Sequence, residues 1–103
     1  NNIGLVSYET GDLNGAMQNW KRAIEIDPKA AEPLLATASA LFSQGKQAEA
    51  YTTAEKAISL DSRYANIQYL KDNLWGVKLL NDTRKLIQTP RVRDFITKAP
   101  SSK

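Results

Sequence analysis

The 103-residue sequence contains no cysteine and no histidine. That removes disulfides, thiolate nucleophiles, imidazole bases and the commonest zinc ligands together. No Ser–His or Cys–His catalytic pair can be assembled. No apolar run approaches the roughly 20 residues needed to span a bilayer, and no secretory pattern is present. A cytoplasmic location is therefore the default expectation. The length suits one domain, and 42% hydrophobic with 24% charged residues is ordinary globular composition.

Charge of one sign is scarce in each part of the chain. Residues 1–62 hold five Lys/Arg against eight Asp/Glu, a net of −3, whereas residues 63–103 hold nine against three, a net of +6. A basic segment can meet nucleic acid or an anionic membrane surface. Arg84, Lys85, Arg91, Arg93 and Lys98 are its candidate contacts, but no nucleic-acid motif accompanies them, and a solvated face is the simpler reading.

What is present is a sentence written twice. GDLNGAMQNWKRAIEIDP begins at Gly11, and GKQAEAYTTAEKAISLDS begins 34 residues later at Gly45. At that offset Ala16 meets Ala50, Ala23 meets Ala57, Ile24 meets Ile58 and Asp27 meets Asp61, while Gly4 meets Ala38 and Ala31 meets Ala65. Each unit reads as two helices. Leu13, Ala16, Met17, Trp20, Ala23 and Ile24 mark one helical face; Leu34, Leu35, Ala38, Leu41 and Phe42 mark a second; Tyr51, Ala54, Ala57 and Ile58 mark a third. Gly11 suits a left-handed position after a helix, Asp12 a cap for the next, and Pro33 a first turn. Short loops make neighbouring helices antiparallel, and the small residues allow their close approach.

A 34-residue period carrying Ile3-Gly4, Ala16, Trp20 and Pro28, then Leu34, Ala38, Leu41 and Ala50, resembles the tetratricopeptide repeat (TPR) family. Ser7, Thr37, Ala54 and Ser62 depart from that family's signature. Its leading Trp would fall just before Asn1, so the expectation is a first helix entered part-way, with any upstream signal or anchor outside the sequence.

The resemblance implies an all-α fold: 34-residue helix–turn–helix repeats stacked as a short right-handed α-solenoid with a C-terminal capping region. The expected division is a first repeat over 1–30, a second over 31–64, a degenerate third over 65–88, and a capping helix with tail over 89–103. Ala65–Leu80 is read as one helix with Ile67, Leu70, Leu74 and Trp75 apolar, although Asp72 replaces a small residue and Leu79 the turn glycine. Asp82–Gln88 and Pro90–Lys98 follow as short helices, the latter capped by Thr89.

By the same resemblance the first helices line a concave groove that holds a segment of a protein partner. The matching groove positions are Tyr8, Glu9, Leu35, Ser39, Phe42, Tyr69 and Asn73. The carboxylate clamp of some family members would map to Asn1, Leu5, Ala36, Asn66 and Leu70, and those residue types do not form it. Trp20 and Trp75 fall at family core positions.

No catalytic, cofactor or metal site is expected. Ser43 and Lys46 spell S-x-x-K across the repeat turn and not at a helix start. Glu25 and Asp27 diverge on their helix, and Asn81-Asp82-Thr83 is a glycosylation sequon only by spelling. The function this implies is a non-enzymatic scaffold for protein–protein interaction. The alternatives are binding of an anionic partner through the basic third, or a terminal cap of a longer self-assembling array; nucleic acid and membrane partners are not expected, and the oligomeric state is open.

Overall fold

The computed structural model describes residues 2–73 and 75–98, with side chains from residue 4 onward. Asn1, Leu74 and residues 99–103 of the expected tail lie outside the described residues, as does the side chain of Ile3. The helices are α1 (Asn2–Glu9), α2 (Leu13–Ile26), α3 (Ala31–Ser43), α4 (Gln47–Leu60), α5 (Ile67–Asp72), α6 (Val77–Ile87) and α7 (Pro90–Lys98), with a 3₁₀ turn at Ser62–Ala65 before α5. There is no strand among the described residues. No helix there is long and apolar enough to cross a membrane. The protein is an all-α helical repeat array.

The repeated sentence is repeated in hydrogen bonds. At the α1–α2 turn Gly11 has φ 93°, its N–H donates to Tyr8 O, and the N–H of Asp12 donates to Ser7 O. At the α3–α4 turn Gly45 has φ 84°, its N–H donates to Phe42 O, and Lys46 donates to Leu41 O. A side chain at either glycine would be strained by the left-handed backbone. Asp12 then starts α2 by accepting from Gly15 N–H at 3.0 Å, whereas Lys46 offers α4 no side-chain cap. Asp27 and Asp61 close the units alike, each accepting a backbone N–H two residues on.

The small residues lie where helices meet. Ala16, Ala38 and Ala50 are fully buried. A methyl group at Gly4 would stand 2.5 Å from the Trp20 indole nitrogen, so α1 reaches α2 only because Gly4 has none. Trp20 fills the space between them, its ring 5.7 Å from that of Tyr8. Fully buried side chains such as Trp20, Leu35, Leu79 and Leu86 each stabilise the array by about 1.5–3 kcal/mol before the entropy of ordering them is subtracted.

After α4 the expected single helix over 65–80 is divided. Asn66 caps α5 by accepting from Gln68 and Tyr69 N–H, and α5 ends at Asn73 after six residues. Gly76 is extended, at φ −75° and ψ 169°, and α6 starts beyond it. The helix expected to begin at Asp82 is therefore the second half of α6. The periodicity of apolar residues continues through the break, but the backbone does not, because Gly76 accommodates a contact from the far end of the chain.

The last helix begins at Pro90 and packs on α4, with Val92 buried and Phe95 and Ile96 half-buried against the core. Thr89 does not cap it through its hydroxyl, which instead donates to Leu86 O at 2.7 Å. Arg91 is exposed, as expected, and also pairs with Glu55 through two nitrogens and lies 5.3 Å above the Tyr51 ring.

Candidate functional site

Two first helices, α1 and α3, share a face, and α6 lies across it. Its closest association is with α3 and then with α1, with no comparable contact to α2 or α4 among the described residues. Four side chains of α1 and α3 meet this helix or its approach, each with its own chemistry.

Glu9, the last residue of α1, accepts from the N–H groups of Lys78 (3.0 Å) and Leu79 (2.9 Å). The first N–H groups of a helix have no partner within it, and they carry the positive end of its dipole. Gly76 offers no side-chain cap of its own, so Glu9 supplies one across a separation of about 70 residues. Any side chain at Gly76 would collide with the Glu9 carboxyl group.

Tyr8 is 2% exposed, and its hydroxyl donates to the Asp82 carboxylate in the middle of α6. The Tyr8 hydroxyl oxygen also lies 3.3 Å from the Ser43 hydroxyl, and the Lys78 ammonium stands 5.4 Å from the ring centre. Burial, and next the bond to Asp82, push the Tyr8 hydroxyl well above its ordinary value near 10.

Ser39 of α3 and Thr83 of α6 are both fully buried, their hydroxyl oxygens 2.6 Å apart. Their remaining contacts are to the carbonyls of Leu35 and Leu79, one turn back in each helix. One proton bridges the helices while the other goes to a carbonyl. Finally, Glu32 in the first turn of α3 accepts from the Trp75 indole at 2.9 Å and holds the segment that leads into α6.

The seven expected groove residues thus fall in different places. Tyr8, Glu9 and Ser39 come together against α6, and Leu35 is fully buried; none of the three buried ones, Tyr8, Leu35 and Ser39, faces open solvent. Phe42 instead lies half-buried beside Tyr51 of α4, ring centres 6.3 Å apart. Tyr69 stands edge-on to Tyr64 at 5.1 Å with Arg63 above its ring. Asn73 donates through Nδ2 to Tyr69 O, closing α5. Of the clamp positions, Leu5, Ala36 and Leu70 are buried and Asn66 is occupied as a helix cap.

Sequence reasoning missed Glu32, Asp82 and Thr83. The spacing of Leu79, Thr83 and Leu86 at helical intervals was a signal for Thr83; nothing local distinguishes Asp82 or Glu32 from solvated charges. Three basic side chains of the last third are paired: Arg63 with Asp61, Arg91 with Glu55 and Lys98 with Asp94. Among the described residues no three acidic side chains converge as metal ligands would.

Comparison with known families gives two overlapping matches. A model described as TPR repeat matches residues 4–45, and one described as Tetratricopeptide repeat matches residues 31–64. No curated protein and no solved structure matches the chain.

Proposed function

Because the chain belongs to the tetratricopeptide-repeat family, whose members are generally non-enzymatic scaffolds for protein–protein interaction, we propose that it binds a segment of a partner protein on the face shared by α1 and α3. The observation that carries this reading is the occupancy of that face by α6. A surface that seats one helix through a carboxylate, a phenol and a hydroxyl, over an apolar floor, has the mixture of anchors and orienting groups on which peptide recognition depends. The third unit, 65–88 in our division, then serves as the resident of the groove, and α7 as the cap over α4.

A competing apolar surface exists between α2 and α3, a hollow of about 380 Å³ lined by Met17, Lys21, Ile24 and Thr37. Nuclear magnetic resonance of the full chain titrated with a library of helical and extended peptides separates the two. The expected result is shift changes at Tyr8, Glu9 and Ser39, lost in the Glu9→Gln variant. Changes confined to Met17, Ile24 and Thr37, or none with any peptide, would overturn the proposed face.

The alternative of an anionic partner gains nothing from the ion pairs of Arg63, Arg91 and Lys98, because a phosphate would have to compete with carboxylates already in place. Its signature would be affinity that collapses with salt through counterion release.

A further inference from the structure

We infer that the partner segment taken by this face is an amphipathic helix resembling α6, presenting a free helix N-terminus followed by the pattern Leu-Leu-x-Asp-Thr-x-x-Leu, and that α6 is its built-in stand-in. This inference rests on the groove reading proposed above and adds the chemistry of the ligand.

Glu9 supplies the first argument. It accepts from two consecutive N–H groups, those of Lys78 and Leu79. In an extended strand consecutive N–H groups point to opposite sides, so one carboxylate cannot take both. In the first turn of a helix they point the same way and lack partners. Glu9 therefore reads a helix start and discriminates against an extended peptide.

The side-chain contacts supply the rest of the pattern. Tyr8 favours an acid at the position of Asp82, where an apolar residue would leave the buried phenol only the longer contact to the Ser43 hydroxyl. Ser39 selects a hydroxyl at the next position, Thr83. Leu79 and Leu86 are fully buried and Leu80 nearly so, which fixes the apolar stripe on either side of that polar pair. The outer side of the helix is open: Val77, Asn81, Arg84 and Lys85 are exposed, as is Lys78, whose ammonium reaches back over the Tyr8 ring.

A tethered helix competes at an effective concentration on the order of millimolar, so a partner in trans meets a largely filled face. Gly76 offers a way to release the resident without altering the receptor. A side chain there strikes the Glu9 carboxyl, while Glu9, Tyr8 and Ser39 are unchanged.

The test uses the full chain and a labelled, end-blocked peptide of residues 75–89. The expected result is binding to the Gly76→Val chain at least about tenfold tighter than to the unaltered chain, since the competent fraction rises. Adding Glu9→Gln to the receptor, or replacing Asn81 of the peptide by Pro to prevent a helix, should abolish the gain. If the Pro-containing peptide binds as well as the parent, the face takes extended segments; the scaffold reading survives and the helix inference falls. If neither peptide binds a folded Gly76→Val chain, both fall. Should that variant not fold, hydrogen exchange on the unaltered chain decides: excess peptide should remove protection from the Lys78 and Leu79 amides, and unchanged protection overturns the inference.

Discussion

The carboxyl group of Glu9 stands in the space that any side chain at Gly76 would need. The two residues define each other: the glycine makes room for the cap, and the cap starts α6 where the glycine ends. Gly76→Ala should therefore destabilise the protein although alanine is the better helix former. Losing a cap of this kind costs about 0.5–2 kcal/mol, and thermal melting should show it. A variant as stable as the parent would mean that Glu9 swings clear without loss.

Tyr8→Phe keeps the ring against Trp20 and removes the donor to Asp82. The expected loss is about 1.5–3 kcal/mol by denaturant unfolding, the range for a hydrogen bond to a charged group. In a double-mutant cycle, Asp82→Ala should add little in the Tyr8→Phe background. Fully additive losses would show that the pair does not couple α1 to α6.

Alkaline pH should loosen the same contact. The folded state keeps the Tyr8 proton well above 10, and burial together with the nearby Glu32 charge pushes Tyr64 up to about 12. Above pH 10 the unfolded chain releases protons that the folded chain holds, so it binds fewer and stability falls as pH rises. The contribution is complete below 10 and declines through about 12 for Tyr64 and beyond that for Tyr8. Unfolding midpoints at about pH 8 and about pH 11 should differ more for the parent than for Tyr8→Phe. Equal differences would place the alkaline loss elsewhere.

The last helix is expected to act as a lid over α4. Removing residues 90–103 should lower the melting temperature and expose an apolar surface that promotes association, seen by light scattering across a dilution series. Val92→Asp should reproduce much of this by burying an unpaired charge, at a cost of several kcal/mol or about that order. Charge reversal at Arg93 should leave melting nearly unchanged, but reversal at Arg91 should lower it, because that guanidinium is held by Glu55 and covers Tyr51. Identical melting of the two reversals would remove Arg91 from the account.

The repeat was legible in the sequence because its determinants are local. Gly11 and Gly45 impose left-handed turns, Asp27 and Asp61 close their helices within two residues, and Gly4 with Ala16, Ala38 and Ala50 meets the adjacent helix. The placement of α6 was not legible, because what breaks the third unit is Glu9, far away in sequence. Tyr8 and Ser39 were read on the correct helices, but local periodicity cannot say that a later segment returns to cover them. Phe42 and Tyr69 take groove positions by the resemblance alone, and repeat position does not foresee their aromatic contacts with Tyr51 and Tyr64.

The hydroxyl pair of Ser39 and Thr83 sits in a dry, apolar seam. A purely greasy helix can slip along such a seam, losing little at each small displacement. Here any slip parts the two oxygens and loses the one bond that joins the helices, each hydroxyl keeping only the carbonyl one turn back in its own helix, so positions between fully seated and fully lifted are penalised. The joint between α6 and its bed behaves as a notch and not as a slide. A ligand contending for that bed faces a binary choice, and the chain should answer it with a switch and not a gradual yield.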